Sequence, residues 1–247
     1  MINYIASEYL KHKGTFVRKI AWIAPMLTVC LNVLAPIWYQ QNSYNWWYVF
    51  LYPGCVTLLS ILIIQRDSGK LQFRAILSLP VDLERVWYAK IITCILYAAL
   101  ANAILMLCNI AGGFIIQRIF GIPMTIRPMQ ALFGTLCIIL ASAWNIPLCL
   151  WLTKKVGVFA TLILNVGMSL TLGILGADTG LWFLCPYSWV DRLMVPALGI
   201  LPNGASVKGS ALSTPLLLGI AVLCLSVFLL YGLAKSTARS FIKQEVL

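Results

Sequence analysis

The chain has 247 residues, of which 61% are hydrophobic and only 10% are charged. Globular proteins carry about 25% charged residues, so this chain has too few charges to cover a soluble fold and is interpreted as an integral membrane protein. Its 18 Lys and Arg residues against 7 Asp and Glu residues give a net charge of +11. In a membrane protein this excess is first a signal of topology, and no nucleic-acid partner is expected.

The first predicted element is an amphipathic helix within residues 1–19. Its apolar residues recur near helical spacing, at Ile2, Ile5, Tyr9 and Phe16. Acidic and basic residues, Glu8 among them, supply the opposite side, which is typical of a helix in the membrane interface before the first span. A solvated basic tail is the alternative. The only histidine, His12, stands between two lysines and is predicted to face solvent or lipid headgroups.

Six segments are long and apolar enough to span a hydrocarbon core, which needs about 20 residues. They are residues 20–39, 46–64, 91–115, 131–153, 156–177 and 212–233. None carries a charged residue in its middle, so the sequence gives no sign of a proton relay or a voltage sensor. With the N-terminus in the cytoplasm, 14 of the 18 Lys and Arg residues lie inside and 4 outside, so both termini are predicted to be cytoplasmic.

The connection between the first two spans is predicted to be a short outer hairpin, residues 40–45, flanked by an aromatic belt. Asparagines inside the spans are interpreted either as interhelical hydrogen bonds or as the lining of a substrate path. The candidates for that path, with tryptophans of the outer segments, are Asn32, Trp46, Trp47, Asn145, Asn165, Trp182 and Trp189.

The loop of residues 66–90 predicts a short amphipathic helix over residues 67–79 and a second helix over residues 81–90. Asp67 or Ser68 suits a helix N-cap, and Pro80 would end the first helix. Its apolar side must be covered by lipid headgroups or by a partner protein. The residues predicted to meet that partner are Asp67, Ser68, Gly69, Leu71, Phe73, Arg74, Ile76, Leu77, Leu79 and Pro80.

The last outer loop, residues 178–211, is too apolar for a free loop. A re-entrant or interfacial helical hairpin is predicted, since irregular backbone at membrane depth must be buried in protein or line a cavity. The segment is either a packed cap on the bundle or a surface that contacts the transported molecule. Its acidic residues are only Asp178 and Asp191.

Self-contained catalysis is not expected. The eight cysteines lack paired spacing and are interpreted as small apolar residues, and one histidine cannot build a metal site or a hydrolytic triad. No phosphate-binding Gly-x-x-x-x-Gly-Lys-Ser/Thr run is present, so no catalytic, cofactor or metal site is predicted in this chain. If the protein transports, the energy must come from another polypeptide; a membrane scaffold or sensor without transport is the alternative from another class.

The loop also carries a resemblance, in Asp67, Gly69, residues 77–81 and Lys90. This pattern resembles permease subunits of ABC-2 type transporters. The resemblance implies an all-α membrane domain over residues 1–247, with six spans and an N-terminal interfacial elbow helix. It also implies a coupling helix in residues 66–90 that docks on an ABC ATPase dimer, the subunit that uses ATP and Mg²⁺.

Residues 13–19, 44–48 and the outer loop are similar to permeases of lantibiotic-immunity ABC transporters, of the MutE/EpiE or MutG branch. This similarity implies a second homologous permease, in a heterodimer rather than a homodimer. It implies expulsion of a lantibiotic peptide from the plasma membrane of a Gram-positive cell. An ABC-2 exporter of another drug, a lipid or a polysaccharide is the alternative within the same class.

Overall fold

The computed structural model describes residues 1–68, 73, 80–207, 212 and 214–243. These residues are almost entirely helical, and beyond an isolated bridge between Ile200 and Ser206 they contain no β-structure. The helices are α1 (Ile2–Lys11), α2 (Phe16–Asn32), α3 (Tyr39–Trp46), α4 (Tyr52–Ser68), α5 (Leu83–Phe120), α6 (Pro128–Ser142), α7 (Asn145–Val156), α8 (Val158–Met168), α9 (Ile174–Ala177), α10 (Ser188–Leu198) and α11 (Leu216–Lys243). Short 3-10 turns (Pro36–Trp38, Trp182–Leu184) and wider π turns (Trp47–Leu51, Ser169–Gly173) interrupt them.

Four continuous helical stretches are long and apolar enough to cross a membrane: Pro36–Ser68, Leu83–Phe120, Val158–Ala177 and Leu216–Lys243. Two further pairs, α1 with α2 and α6 with α7, qualify as spans when each is taken together, but they bend by 78° and 42°. The predicted all-helical membrane fold is therefore confirmed, with four to six candidate spans in the described part of the chain.

Helix α1 packs with its polar side inward. Ile2 and Leu10 are exposed, whereas Glu8 and His12 are buried. The prediction that His12 faces solvent or headgroups is therefore wrong, because the side of α1 that carries it covers the bundle. An apolar outer side and a 78° turn into α2 suit a helix lying against lipid.

The predicted outer hairpin at residues 40–45 is also wrong, because these residues are helical within Pro36–Ser68. The turn after α2 lies at residues 33–35 instead. Gln40 is buried, and its Oε1 accepts hydrogen bonds from the backbone N–H groups of Thr125 (2.8 Å) and Ile126 (3.0 Å). Gln40 thus satisfies backbone groups of the segment between α5 and α6 from inside the bundle. The sequence around Gln40 does not indicate this role.

Close approach of α3 and α5 depends on a glycine. A Cβ on Gly112 would overlap the hydroxyl of Tyr39, which donates a hydrogen bond to the carbonyl of Cys108 (3.0 Å). The tyrosine can therefore reach the backbone of α5 only because residue 112 lacks a side chain.

Helix α5 begins at an N-cap. The side chain of Asp82 accepts from the backbone N–H groups of Glu84 (3.0 Å) and Arg85 (3.2 Å). The predicted helix over residues 81–90 is not separate, because it continues into the third span as one helix of 38 residues. At about 1.5 Å per residue, α5 is longer than a hydrocarbon core of roughly 30 Å and extends beyond it.

Candidate functional site

Four charged side chains form a buried group where α1, α4 and α5 meet; we call Glu8, Lys11, Asp67 and Lys90 the ion cluster. Lys90 Nζ lies 3.1 Å from Glu8 Oε1 and also pairs with Asp67. Lys11 Nζ lies 2.7 Å from Glu8 Oε1 and 3.4 Å from Asp67 Oδ1. Lys90 is fully buried. Because a buried charge is tolerated only with its partners, the cluster fixes the three helices relative to one another.

The sequence reasoning missed this cluster, since it placed these charges in loops or on a solvated helix side. A local signal was present. Glu8, Lys11 and His12 are three and four residues apart, so they share one side of α1. Lys90 stands directly before an uninterrupted apolar run. Neither signal indicates which residues pair. Asp67 lies in a different helix from Lys90 and is 23 residues away from it in sequence.

Glu8 is held in its charged form. Burial by itself raises the pKa of Glu8, but the adjacent His12 ring and the charges of Lys90 and Lys11 outweigh burial and lower the pKa to about 2. The His12 Nε2 atom lies 3.7 Å from Glu8 Oε2. The same carboxylate, followed by Asp67, raises the pKa of Lys11 against the effect of burial.

We expect this cluster to make stability depend on pH below about 4.5. A carboxyl whose pKa is depressed by folding contributes stability above its unfolded pKa, and the contribution is lost as pH falls towards the folded pKa. The free energy of unfolding of the wild type should therefore decrease as the pH falls from 4.5 to about 2. The decrease should be smaller in Glu8→Gln, which lacks this carboxyl. Unfolding in detergent across this range measures the difference. Exposed Glu84→Gln should follow the wild type, and parallel curves for wild type and Glu8→Gln would contradict the prediction.

A second contact at the same end holds Phe73 of the loop; we call Phe73, Trp87, Lys154 and Phe241 the aromatic clamp. The Phe73 ring meets Phe241 edge-on with 5.6 Å between centroids, and Phe241 stacks on Trp87 at 4.8 Å. Lys154 Nζ lies 5.0 Å from the Phe73 centroid and 4.0 Å from that of Phe241, within the cation–π range. Trp87 Nε1 donates to Thr237 Oγ1 at 3.0 Å. The loop is thus attached to α5, α7 and α11.

The prediction of a helix over residues 67–79 needs two corrections. Asp67 and Ser68 form the last turn of α4 instead of capping a new helix. Phe73 has a φ of 65°, which lies in the left-handed region, so Phe73 itself is not part of an α-helix.

The other coupling candidates divide into two groups. Pro80 is exposed, whereas Asp67 and Phe73 turn inward. Those outside the described residues are Gly69, Leu71, Arg74, Ile76, Leu77 and Leu79.

A cavity of about 30 Å³ lies where three helix irregularities meet. The π turns contribute Tyr48 and Ser169, and the 42° bend between α6 and α7 contributes Asn145. Tyr187, from the segment before the last span, also lines the cavity, and its hydroxyl donates to Asn165 Oδ1 at 3.1 Å. The cavity has room for only one or two water molecules and is far too small for a peptide.

The predicted substrate-path residues lie in different surroundings, and their role in a path stays a prediction. Asn145 lines the cavity and Asn165 lies beside it, where its Nδ2 donates to Thr57 at 2.8 Å. Trp47 Nε1 donates to Asn102 Oδ1 at 2.9 Å, an interhelical bond whose acceptor the sequence reasoning missed. Asn32 bonds within its own helix, to the carbonyl of Thr28, and Trp46 is 55% exposed; Trp182 and Trp189 are buried.

Helix α10, in the segment before the last span, is buried along its length apart from Pro196. Arg192 donates to the carbonyl of Ala177 at 3.0 Å and lies 5.7 Å from the Trp182 ring. Burial raises the pKa of Asp191 well above its usual range. The segment is thus packed into the bundle, and Asp191 presents no accessible carboxylate to a cationic ligand.

Comparison with known proteins assigns the chain to a family. The sequence profile described as ABC-2 family transporter protein matches residues 15–229, which reach from α2 into α11. No curated protein and no solved structure matches the chain. The ABC-2 resemblance is confirmed, while the lantibiotic-immunity branch stays a prediction. With most of its length matched and with helices able to cross a membrane, the chain belongs to the ABC-2 family transporter proteins, as a transmembrane transport component.

Proposed function

We propose that this chain is the permease subunit of a bacterial exporter that expels a lantibiotic from the plasma membrane, driven by a separate ATPase dimer. Membership of the ABC-2 family supports a transport subunit. The similarity of the outer segments to lantibiotic-immunity permeases supports the substrate class. In this proposal both termini are cytoplasmic, because 14 of the 18 Lys and Arg residues then lie on the inner side.

The observation that carries the proposal is the double attachment of the loop that follows α4. Asp67, in the last turn of α4, ties the helix end that leads into this loop to Lys90 and α1 through the ion cluster. Phe73 ties its middle to Trp87 and Phe241 through the aromatic clamp. A displacement of this loop by a closing ATPase dimer would therefore move α1, α4, α5 and α11 together, as an elbow-and-coupling arrangement requires.

Asp67 and Phe73 act as anchors in this proposal rather than as docking residues. The contact with the ATPase is assigned to the remaining loop residues, Leu77 among them, and to exposed Pro80. Substitutions at the two kinds of position should then differ. A docking variant loses the ATPase, whereas an anchor variant keeps it and loses transport.

Within the spans, the helix irregularities around the cavity supply places where the helices can change shape, because π turns and bends interrupt the regular hydrogen-bond ladder. An apolar groove of about 130 Å³ lies near the start of α11. It is lined by Phe133, Cys137, Leu193, Pro196, Thr214, Pro215, Leu216, Gly219, Ile220 and Leu223. We assign the first contact with the apolar part of the peptide to this groove, shared with a second permease.

The test is lantibiotic survival of cells that produce this chain together with a candidate ABC ATPase and a second ABC-2 permease. We expect the complete set to raise the inhibitory concentration severalfold, and an ATPase lacking its phosphate-binding lysine to abolish the gain. Phe73→Ala should retain the ATPase on co-purification but lose resistance. Phe159→Ala, on the exposed side of α8, is the matched control and should behave as wild type.

Two outcomes would contradict parts of this proposal. If an assembled, ATP-hydrolysing complex gives no resistance to any lantibiotic tested, the substrate class is wrong; stimulation of its ATPase by another drug, a lipid or a polysaccharide carrier would then identify the alternative exporter. If no ATPase co-purifies with the wild-type chain, the transport proposal is wrong, and a non-transporting scaffold or sensor becomes the better interpretation of this chain.

A further inference from the structure

A basic groove lies between the end of α7 and the last turns of α11, at the end of the bundle that holds the aromatic clamp. This open groove has a volume of about 670 Å³, and its cations are Lys155, Lys235, Arg239 and Lys243. All four are exposed. Every ion pair among the described residues is made by another cation, namely Lys11, His12, Arg85 or Lys90. The groove therefore has a concentrated positive charge available to an anion.

The position of the groove relative to the membrane follows from the length of the apolar part of α11. Residues 216–234 carry no charge, and about 19 residues at 1.5 Å each span roughly 28 Å, which matches a hydrocarbon core of about 30 Å. Lys235 then stands at the edge of the hydrocarbon and Arg239 one turn, roughly 6 Å, beyond it. Because the headgroup layer on each side is about 5–8 Å thick, these two cations lie at headgroup level.

An apolar wall continues from the groove towards the hydrocarbon. Phe228, Gly232, Lys235 and Arg239 follow one another at intervals of four, three and four residues, so they share one side of α11. Phe228 is 74% exposed, and the space around Gly232 is open, because a Cβ there would meet no atom within 4 Å. This side of the helix thus offers a surface for an acyl chain directly below the cations.

Hydroxyl groups complete the groove. Ser236 and Ser240 both line it. Ser240 Oγ accepts a hydrogen bond from Trp151 Nε1 at 3.1 Å, which leaves its O–H proton to donate. Guanidinium, ammonium and hydroxyl donors around one space are the combination that binds a phosphodiester.

We propose that this groove is a binding site for the headgroup of an anionic phospholipid such as phosphatidylglycerol, with the phosphodiester between Lys155, Lys235 and Arg239. The acyl chains lie along the exposed side of α11 towards Phe228. This proposal needs only the membrane location of the chain and is independent of what the exporter transports. A docked ATPase is the less favoured occupant, because it would have to enter the headgroup layer to reach Lys235.

The test is lipid binding to the purified protein in detergent, measured by native mass spectrometry and by thermal stabilisation. Phosphatidylglycerol should bind and stabilise, whereas phosphatidylcholine should bind roughly a hundredfold more weakly, since each of the three basic residues placed around the phosphodiester contributes about 1 kcal/mol towards an anionic headgroup. Lys235→Gln/Arg239→Gln should remove this preference. Lys13→Gln, which removes an exposed charge near the elbow, is the matched control and should retain it.

A second variant separates binding from charge and folding. Gly232→Leu keeps every cation and favours the helix, yet its side chain fills the open space, so it should weaken phosphatidylglycerol binding while the free protein remains at least as stable. Equal binding by wild type, the double charge variant and Gly232→Leu would overturn the proposal. So would full displacement of the lipid by millimolar inorganic phosphate, which would indicate a free-anion site. Loss of the ATPase with unchanged lipid binding would indicate a protein-docking surface instead.

Discussion

Lys90→Met is expected to destabilise the protein by about 3–5 kcal/mol, the usual cost of removing one partner from a buried ion pair. The ammonium of Lys90 lies between Glu8 and Asp67, and its side chain is fully buried. Methionine has a similar length and fills the space, so lost packing contributes little. The cost arises because two carboxylates then share a buried site with Lys11 as their only remaining cation in the cluster.

Unfolding in detergent micelles, followed by heat or by a denaturing detergent, measures this effect. Lys13→Met is the matched control, because Lys13 is exposed and surface substitutions usually change stability by less than about 0.5 kcal/mol. Adding Glu8→Gln to Lys90→Met should recover most of the lost stability, since Asp67 and Lys11 then remain as an ion pair in the cluster. If Lys90→Met unfolds like Lys13→Met, the ion cluster does not hold the elbow and the loop to the bundle.

The spans were predictable because a segment that crosses a hydrocarbon core needs about 20 apolar residues, and such a run is visible in the sequence. A run such as residues 91–115 has to be apolar, continuous and helical wherever it packs. Its ends were less predictable. The same pattern placed the start of the third span at Ile91, but Asp82 caps a helix that begins at Leu83, since nothing between Leu83 and Lys90 interrupts helical backbone.

Polar residues that satisfy distant partners were the least predictable part. Gln40 was assigned to an exposed hairpin because glutamine, asparagine and serine cluster at residues 40–45. In the bundle it binds the backbone of Thr125 and Ile126. Glu8 was assigned to a solvated side of α1, yet its partner Lys90 is 82 residues away in sequence. A single sequence contains the donors and acceptors but not the pairing, which only the packing of helices supplies.

The candidate site was predictable to a similar degree. The family resemblance in residues 66–90 predicts a coupling loop, and the sequence places Phe73 among the residues that would meet the partner protein. Its burial against Phe241 follows from an aromatic near the end of α11, whose proximity no local spacing could indicate. Tyr187 joins the outer segment to Asn165, and no local pattern indicates this contact because the partner lies in another span.

Phe241→Ala is expected to cost about 3–5 kcal/mol, the range for removing a buried phenylalanine. The ring is 1% exposed and lies between Phe73 and Trp87, with Lys154 Nζ 4.0 Å from its centroid. Its removal takes away the surface on which Phe73 rests, so the loop loses its attachment to α11. Transport should then fall with stability, while ATPase binding persists through the rest of the loop.

Phe228→Ala removes the same atoms from the same helix at a position that is 74% exposed, so it isolates burial as the cause. We expect it to lie within about 0.5 kcal/mol of wild type. Phe241→Leu keeps the apolar volume but loses the stacked and cation–π contacts, and should fall between the two. Unfolding in micelles ranks the three variants, and co-purification with the ATPase separates anchoring from docking. The prediction would be contradicted if Phe241→Ala were as stable as Phe228→Ala and still transported. The loop would then move independently of α11, and only the ion cluster would connect it to the bundle.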